Sequence, residues 1–132
     1  MAYNTELTTQ QKNLISLVSR QGIGDVIKPL QKEIHLFDTY VAGTSYLADR
    51  EVLKILKKND QLILQRENNK FDENAIVILT EDKKRVGYVP EKDNIVFSRL
   101  MDAGKLLIAR VLDLSQKGTF TQISIGIYLI DF

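Results

Sequence analysis

Three aromatic residues stand beside turn-like elements: Tyr46 after Gly43, Phe71 after Asn69, and Tyr88 after Gly87. Flat side chains at such positions can stay exposed, and exposed aromatics are what single-stranded nucleic acid stacks upon, each base contributing about 1–3 kcal/mol. Arg66, Lys70 and Lys92 are candidate phosphate contacts. Asp72 does not suit a plain anion site. A carboxylate beside a phosphate is repelled unless it accepts a hydrogen bond from a hydroxyl, and a free sugar 3′-hydroxyl is such a donor. Each residue also has a structural reading. Tyr88 falls in an alternating strand and can be core or rim. Phe71 can plug the end of the fold, and Asp72 and Asn74 can cap loop backbone as Asx residues do.

Catalytic constellations are scarce. The chain has no cysteine, so thiolate metal sites and disulfides are excluded. His35 is the one histidine, in the apolar run Ile34-His35-Leu36-Phe37, and reads as structural or solvent-edge. Asp72 with Glu81-Asp82-Lys83 superficially matches the acidic-x-Lys pattern of metal-dependent nucleases, in which carboxylates gather around Mg²⁺. Glu81–Lys84 reads instead as a hairpin tip, where charges are solvated. No phosphate-cradling glycine loop occurs; the seven glycines fall at turns and caps. No cofactor, metal or enzymatic activity is therefore expected. The formal net charge of +1 excludes a broad basic field, so any nucleic-acid binding must be local.

The elements that must position these residues follow from periodicity. At 132 residues and 44% hydrophobic composition, one domain with a real core is expected. Thr8-Thr9-Gln10-Gln11 reads as a capping box, followed by Leu14, Leu17 and Val18 at helical spacing, with Gly22 and Gly24 as stops. Residues 1–33 thus read as a helical appendage, whose apolar face packs on the same chain or serves a protein partner. Residues 34–132 read as the main domain. Strands are expected over Ile34–Ala42, Gln61–Glu67, Asn74–Thr80, Arg85–Val89 and Leu106–Leu114. A final strand carries Ile123, Ile125, Ile127 and Leu129 on one side. Helices are expected over Ala48–Lys58, with Val52, Leu53 and Leu56 on one face, and over Lys92–Ala103. The stripe of the latter is Val96, Phe97, Leu100 and Met101, and Gly104 is its C′ residue. The fold class is mainly β with helices, a closed or half-closed barrel of OB-like or SH3-like type plus an N-terminal helix. No apolar run reaches the roughly 18 residues that span a bilayer, and no secretory signal is apparent, so a cytoplasmic location without membrane attachment is expected.

Three motifs, in order, resemble the HIRAN domain family, known in DNA-repair helicases and as short bacterial proteins. Val41-Ala42-Gly43-Thr44-Ser45-Tyr46 resembles its opening Gly-x-x-Tyr. Leu62-x-Leu64-x-Arg66-Glu67-x-Asn69-x-Phe71-Asp72-x-Asn74-Ala75-Ile76 resembles its central motif, and Val86-Gly87-Tyr88-Val89-Pro90 its Gly-Tyr-x-Pro element. The resemblance covers about Leu36 to Asp131. It implies a modified OB-like barrel and, from the helicase members, a non-catalytic pocket for the 3′ end of single-stranded DNA. Tyr46 and Phe71 would stack on or flank terminal bases, and Asp72 would accept the 3′-hydroxyl. Asn69 would contact a base edge or sugar, and Tyr88 would lie near the phosphates or the pocket wall. Two positions depart from the helicase-type pattern: Ser45 stands where an Arg precedes the Tyr, and Lys70 where a Pro precedes the aromatic-Asp pair. The first removes a phosphate contact, and Lys70 returns one charge on a looser stem. The expected site is thus Ser45, Tyr46, Arg66, Asn69, Lys70, Phe71, Asp72 and Tyr88. Two further readings stand beside it: a protein-interaction module that does not bind DNA, with its partner held by the barrel or the N-terminal helix, and, third, a metal-dependent nuclease.

Overall fold

Ile76-Val77-Ile78-Leu79 is buried at every position, as a run of apolar residues without alternation requires when both faces of a strand are covered. It is strand β3 (Ile76–Leu79) of a six-stranded sheet. The others are β1 (Lys32–Tyr40), β2 (Gln61–Arg66), β4 (Arg85–Tyr88), β5 (Leu107–Lys117) and β6 (Phe120–Asp131), arranged in the order β1-β6-β5-β2-β3-β4. The computed structural model describes residues 32–131, Ala48 excepted. The expected N-terminal helix lies outside the described residues. Glu33–Asp131 forms one compact unit, and no helix among the described residues is long and apolar enough to cross a membrane.

The β2–β3, β2–β5, β3–β4 and β5–β6 pairings are antiparallel. The long β5–β6 hairpin turns at Gly118-Thr119, where Gly118 takes φ 64, a left-handed conformation that costs glycine little. A register shift between Val111 and Asp113 marks a bulge in this hairpin, and bulges increase local twist. Alternation along β6 places Ile123, Ile125 and Ile127 in the core with Leu62, Ile78, Val86 and Val111.

The sheet corrects the expectation of a barrel. It is not closed: β1 and β4 remain its two edges. What links them is a single bridge beyond the end of β1, in which Ala42 and Tyr88 exchange backbone hydrogen bonds, both 2.8 Å. Val41 N–H simultaneously donates to the Ile123 carbonyl of β6. Two residues thus span the gap where a closed barrel would need a full ladder.

The helices also differ from expectation. Among the described residues of the expected Ala48–Lys58 helix, only Val52–Ile55 is helical (α1). Leu56 turns extended, so that it joins Val52 and Leu53 in the core. Asn59 and Asp60 then exchange backbone bonds with Val111 of β5. Those sheet contacts satisfy backbone groups that a longer helix would have used. Thr44–Tyr46 forms a 3-10 turn that periodicity did not indicate.

Helix α2 (Glu91–Asp102) ends as expected. Gly104 takes φ 91, its N–H meets the Met101 carbonyl, and Lys105 N–H meets that of Leu100, which is a Schellman closure. Its apolar stripe is shifted. Phe97 is buried and Leu100 and Met101 pack against the core, whereas Val96 is 63% exposed. Asn94 and Ser98 are buried in its place, because α2 packs on the polar loop described below.

The bridge has a steric requirement. A Cβ on Gly87 would lie 2.5 Å from the Ala42 carbonyl oxygen and closer still to Val41 Cγ1. Gly87→Ala should therefore destabilise the protein by about 1–3 kcal/mol through overpacking. The expected result is a lower urea midpoint at unchanged slope; a wild-type midpoint would show that the 41–42 segment yields without cost.

Candidate functional site

The polar loop between β2 and β3 is built from Asx turns. Asn69 Oδ1 accepts the N–H of Phe71 at 2.8 Å, and Asp72 Oδ1 accepts that of Asn74 at 2.9 Å. Short polar side chains bonding backbone two residues on are what such turns require, and Phe71 is held out between them, 85% exposed. Lys70 Nζ lies 5.2 Å from the Phe71 ring centroid, a cation–π distance.

Helix α2 fixes the other side of the loop. Asn94 Nδ2 donates to Asp72 Oδ2 at 2.8 Å, and Ser98 Oγ lies 3.3 Å from Asn74 Oδ1. Asn94 is 1% exposed, and its amide must point its donor at Asp72, because an amide oxygen there would meet a carboxylate. Asn94 Oδ1 is left without a partner among the described residues. Asp72 is half-buried and acts as a cap, yet each carboxylate oxygen has capacity for a further bond.

Arg66 is used differently from the expected phosphate contact. Its guanidinium donates to both oxygens of Asp102 at the end of α2, to the Ala75 carbonyl and to the Glu73 carbonyl. These bonds staple loop, strand and helix together and occupy most of its donors. Lys92 Nζ lies over the Tyr40 ring at 5.3 Å, on the β1 side of α2.

Tyr46, on the 3-10 turn, is 91% exposed, and Ser45 beside it is exposed as well. Gly43 opens this turn at φ 80, and a Cβ there would lie 3.7 Å from the Tyr88 ring. Tyr46 and Tyr88 line one cavity of about 620 Å³ with Leu47 and Val52, while Asp49, Lys84 and Arg85 add charge to its lining. A cavity of similar volume, about 650 Å³, opens beside Arg50, Lys54 and Gln116 and contains no aromatic residue.

Tyr88 belongs to a network that sequence reasoning did not find. Its hydroxyl donates to Glu67 Oε2 at 2.8 Å and accepts from Arg85 at 2.7 Å. Arg85 also donates to Glu67 Oε1 at 2.8 Å, and Asn69 Nδ2 to Glu67 Oε2 at 3.3 Å. Burial pushes the Glu67 carboxyl up, but the hydrogen bonds from Tyr88 and Arg85 outweigh it, and the group sits below its ordinary value. Burial, followed by the bond to Glu67, raises the Tyr88 phenol, and the bond to Glu67 raises the Arg85 guanidinium. Glu67 was visible in the central motif, but its partners lie at strand spacing on β4, and no local pattern pairs them. Glu67 and Asn69 thus join the Phe71–Asp72 loop to the Tyr46–Tyr88 cavity, although Phe71 and Asp72 are not among the residues lining it.

The residues behind the nuclease reading do not converge. Asp82 caps its own hairpin through Thr80 and lies near Lys84, and no group of three or more His, Asp or Glu among the described residues could hold a metal ion. His35 is half-exposed, bonded to Asp38 and set edge-on to Tyr128.

An antiparallel sheet with a bridged edge, an Asx-turn loop presenting Phe71, and a two-tyrosine cavity characterise this small β domain. The family model for the HIRAN domain matches residues 34–129, and the chain belongs to that family. A crystal structure of a protein from Lactobacillus plantarum is similar at 27% identity, covering 77% of this chain and 99% of that one, with a TM-score of 0.71. The HIRAN domain of human HLTF shares the fold at 20% identity, covering 76% and 78% of the two chains, with a TM-score of 0.61. An NMR structure of the HLTF HIRAN domain in its DNA-bound conformation is similar at 19% identity over 75% and 79%, with a TM-score of 0.55. A comparison with curated proteins finds no match.

The lowered Glu67 carboxyl makes stability depend on pH. A carboxyl whose folded pKa lies below its unfolded value, near 4.5, stabilises the fold above that value and loses the contribution as pH falls through the folded one. Glu67→Gln should therefore flatten the fall in urea midpoint on acidification below about pH 4.5. Glu33, lowered by its hydrogen bond to Arg110, should keep part of the fall. An unchanged profile would show that Glu67 titrates alike in both states.

Proposed function

We propose that the protein binds single-stranded DNA without catalysis, preferentially at a free 3′ end. The observation that carries this reading is the exposure of Tyr46 and Phe71 on backbone that is itself tightly bonded. Large aromatics exposed to solvent gain little for the fold, whereas aromatics presented on ordered backbone reduce the ordering cost of binding. Tyr46 and Phe71 stack on or flank the terminal bases, and Tyr88 forms the cavity wall beside Tyr46. Asp72, held by Asn94 and the Asn74 N–H, keeps acceptor capacity for a 3′-hydroxyl. Asn69 contacts a base edge or sugar, Lys70 meets a phosphate, and Ser45 lines the approach to Tyr46. Arg66 contributes through the loop it staples. The DNA-bound conformation of the related HLTF domain supports the ligand class.

Fluorescence anisotropy with short strands ending in a 3′-hydroxyl or a 3′-phosphate, and with a circular strand, tests the reading. Only the free hydroxyl end should bind tightly, and Asp72→Ala should lose the discrimination between hydroxyl and phosphate. Phe71→Ala should weaken binding by about 1–3 kcal/mol, as for one lost stack. The slope of log affinity against log salt should be shallow, about −1 to −3. Equal binding of all three strands would remove the hydroxyl role of Asp72. No binding at up to roughly 100 μM protein would overturn the DNA reading and leave the protein-interaction alternative.

A further inference from the structure

The Tyr46–Tyr88 cavity carries more charge than stacking needs. Lys84 and Arg85, at the start of β4, bring two cations to it, against one carboxylate, Asp49. The other cations near the site do not line this cavity: Arg66 staples the loop to α2, Lys70 lies over Phe71 on the Asp72 loop, and Lys92 lies over Tyr40. Lys84 lies 3.7 Å from Asp82 and stands on a flexible stem.

Arg85 is different in kind. Its side chain is 57% exposed, yet its guanidinium is held by two bonds, to the Tyr88 hydroxyl and to Glu67 Oε1. Glu67 is only 19% exposed and accepts from Tyr88, Arg85 and Asn69 together, so it is a fixed anchor. The guanidinium keeps further N–H donors unused by these bonds, in a planar fork that suits phosphate oxygens. The same anchor fixes the Tyr88 ring, so the aromatic wall and the cation are set relative to each other before any ligand arrives.

We propose that Arg85 is a phosphate-binding residue of this cavity, with Glu67 as the residue that positions it. The cavity then takes one nucleotide unit, its base against Tyr46 and Tyr88 and its phosphate on Arg85. The assignment rests on the nucleic-acid reading above and adds to it a phosphate contact distinct from the hydroxyl contact at Asp72.

The test uses the full chain and the 3′-hydroxyl strand. Arg85→Gln should weaken binding roughly tenfold or more, as for a lost hydrogen bond to a charged group. It should also make the salt slope shallower by about 0.7, the increment for one phosphate on a single strand, while the preference for hydroxyl over 3′-phosphate remains. Tyr88→Phe, which removes the hydroxyl but no charge, should change the slope less than Arg85→Gln does. A second measurement needs no variant to fold: the Arg85 Nε–Hε NMR signal of the wild-type protein should shift with thymidine 5′-monophosphate and not with thymidine. A wild-type slope in Arg85→Gln, or an Arg85 signal blind to the phosphate, would overturn the assignment while end recognition stood. Failure of the wild-type protein to bind any strand would overturn both.

Discussion

The close approach of Ala42 to Gly87 is the contact on which the rest of the site depends. Two backbone hydrogen bonds join Ala42 and Tyr88, and the missing side chain of Gly87 lets the chains come together. The bridge ties the segment after β1 to β4 across an otherwise open sheet edge. It also sets Gly43 against the Tyr88 ring and brings the Tyr46 turn to the same cavity. Buried backbone groups demand partners, and here satisfying them also gathers residues distant in sequence. An unpaired sheet edge is ordinarily a hazard; here a two-residue clamp makes part of that edge a cavity wall.

The second half of the site is rigid for a different reason. Beyond the Glu67–Ala75 backbone bond that closes its base, the 67–75 loop is held by its own Asx turns, by Arg66, which donates to the Ala75 and Glu73 carbonyls, and by the buried amide of Asn94. A loop held only by sequence-local turns would lose conformational freedom on binding and weaken it accordingly. Attachment to α2 shifts that ordering cost from binding to folding. This also explains the polar buried face of α2: Asn94 and Ser98 displace Val96 from the interior because the surface they meet is a polar loop. An apolar side chain there would leave loop carboxylate and amide groups unpaired, which costs more than the exposed valine does.

The fold was legible where a residue's fate is decided locally. The β3 run, the β6 alternation, the charged hairpin and the Gly104 helix stop each follow from period or backbone conformation, and each is where the sequence places it. The four-residue α1 was not legible. Apolar residues at 52, 53 and 56 suit a helix and suit equally a short turn followed by a bend, and pairing of Asn59 and Asp60 with Val111 decides between them. The open sheet was hidden for a related reason, since closure depends on how far two edges pair rather than on any one strand. At the site, the turn residues announced the exposed Phe71. The Glu67–Tyr88–Arg85 network has no such signature, because Glu67 follows β2 while its partners lie on β4, a strand not adjacent to β2. Arg66 shows the limit most clearly: a basic residue in a functional motif reads as a ligand contact, and only its four acceptors reveal it as a staple.

The charge pattern bears on selectivity. The net charge is +1, and the cations of the site are mostly paired or laid over aromatic rings. A broad basic groove would attract the interior of any strand through its phosphates, with little regard to where the strand ends. A nearly neutral surface with a few fixed donors gains less from phosphates in general and depends more on features that fit. In the proposed reading Asp72 acts in both directions: it accepts from a terminal hydroxyl and repels a phosphate in the same place. Discrimination of this kind comes from the penalty on the wrong ligand as much as from contacts to the right one. It requires a carboxylate that cannot swing away, and the bonds from Asn94 and the Asn74 N–H supply that restraint.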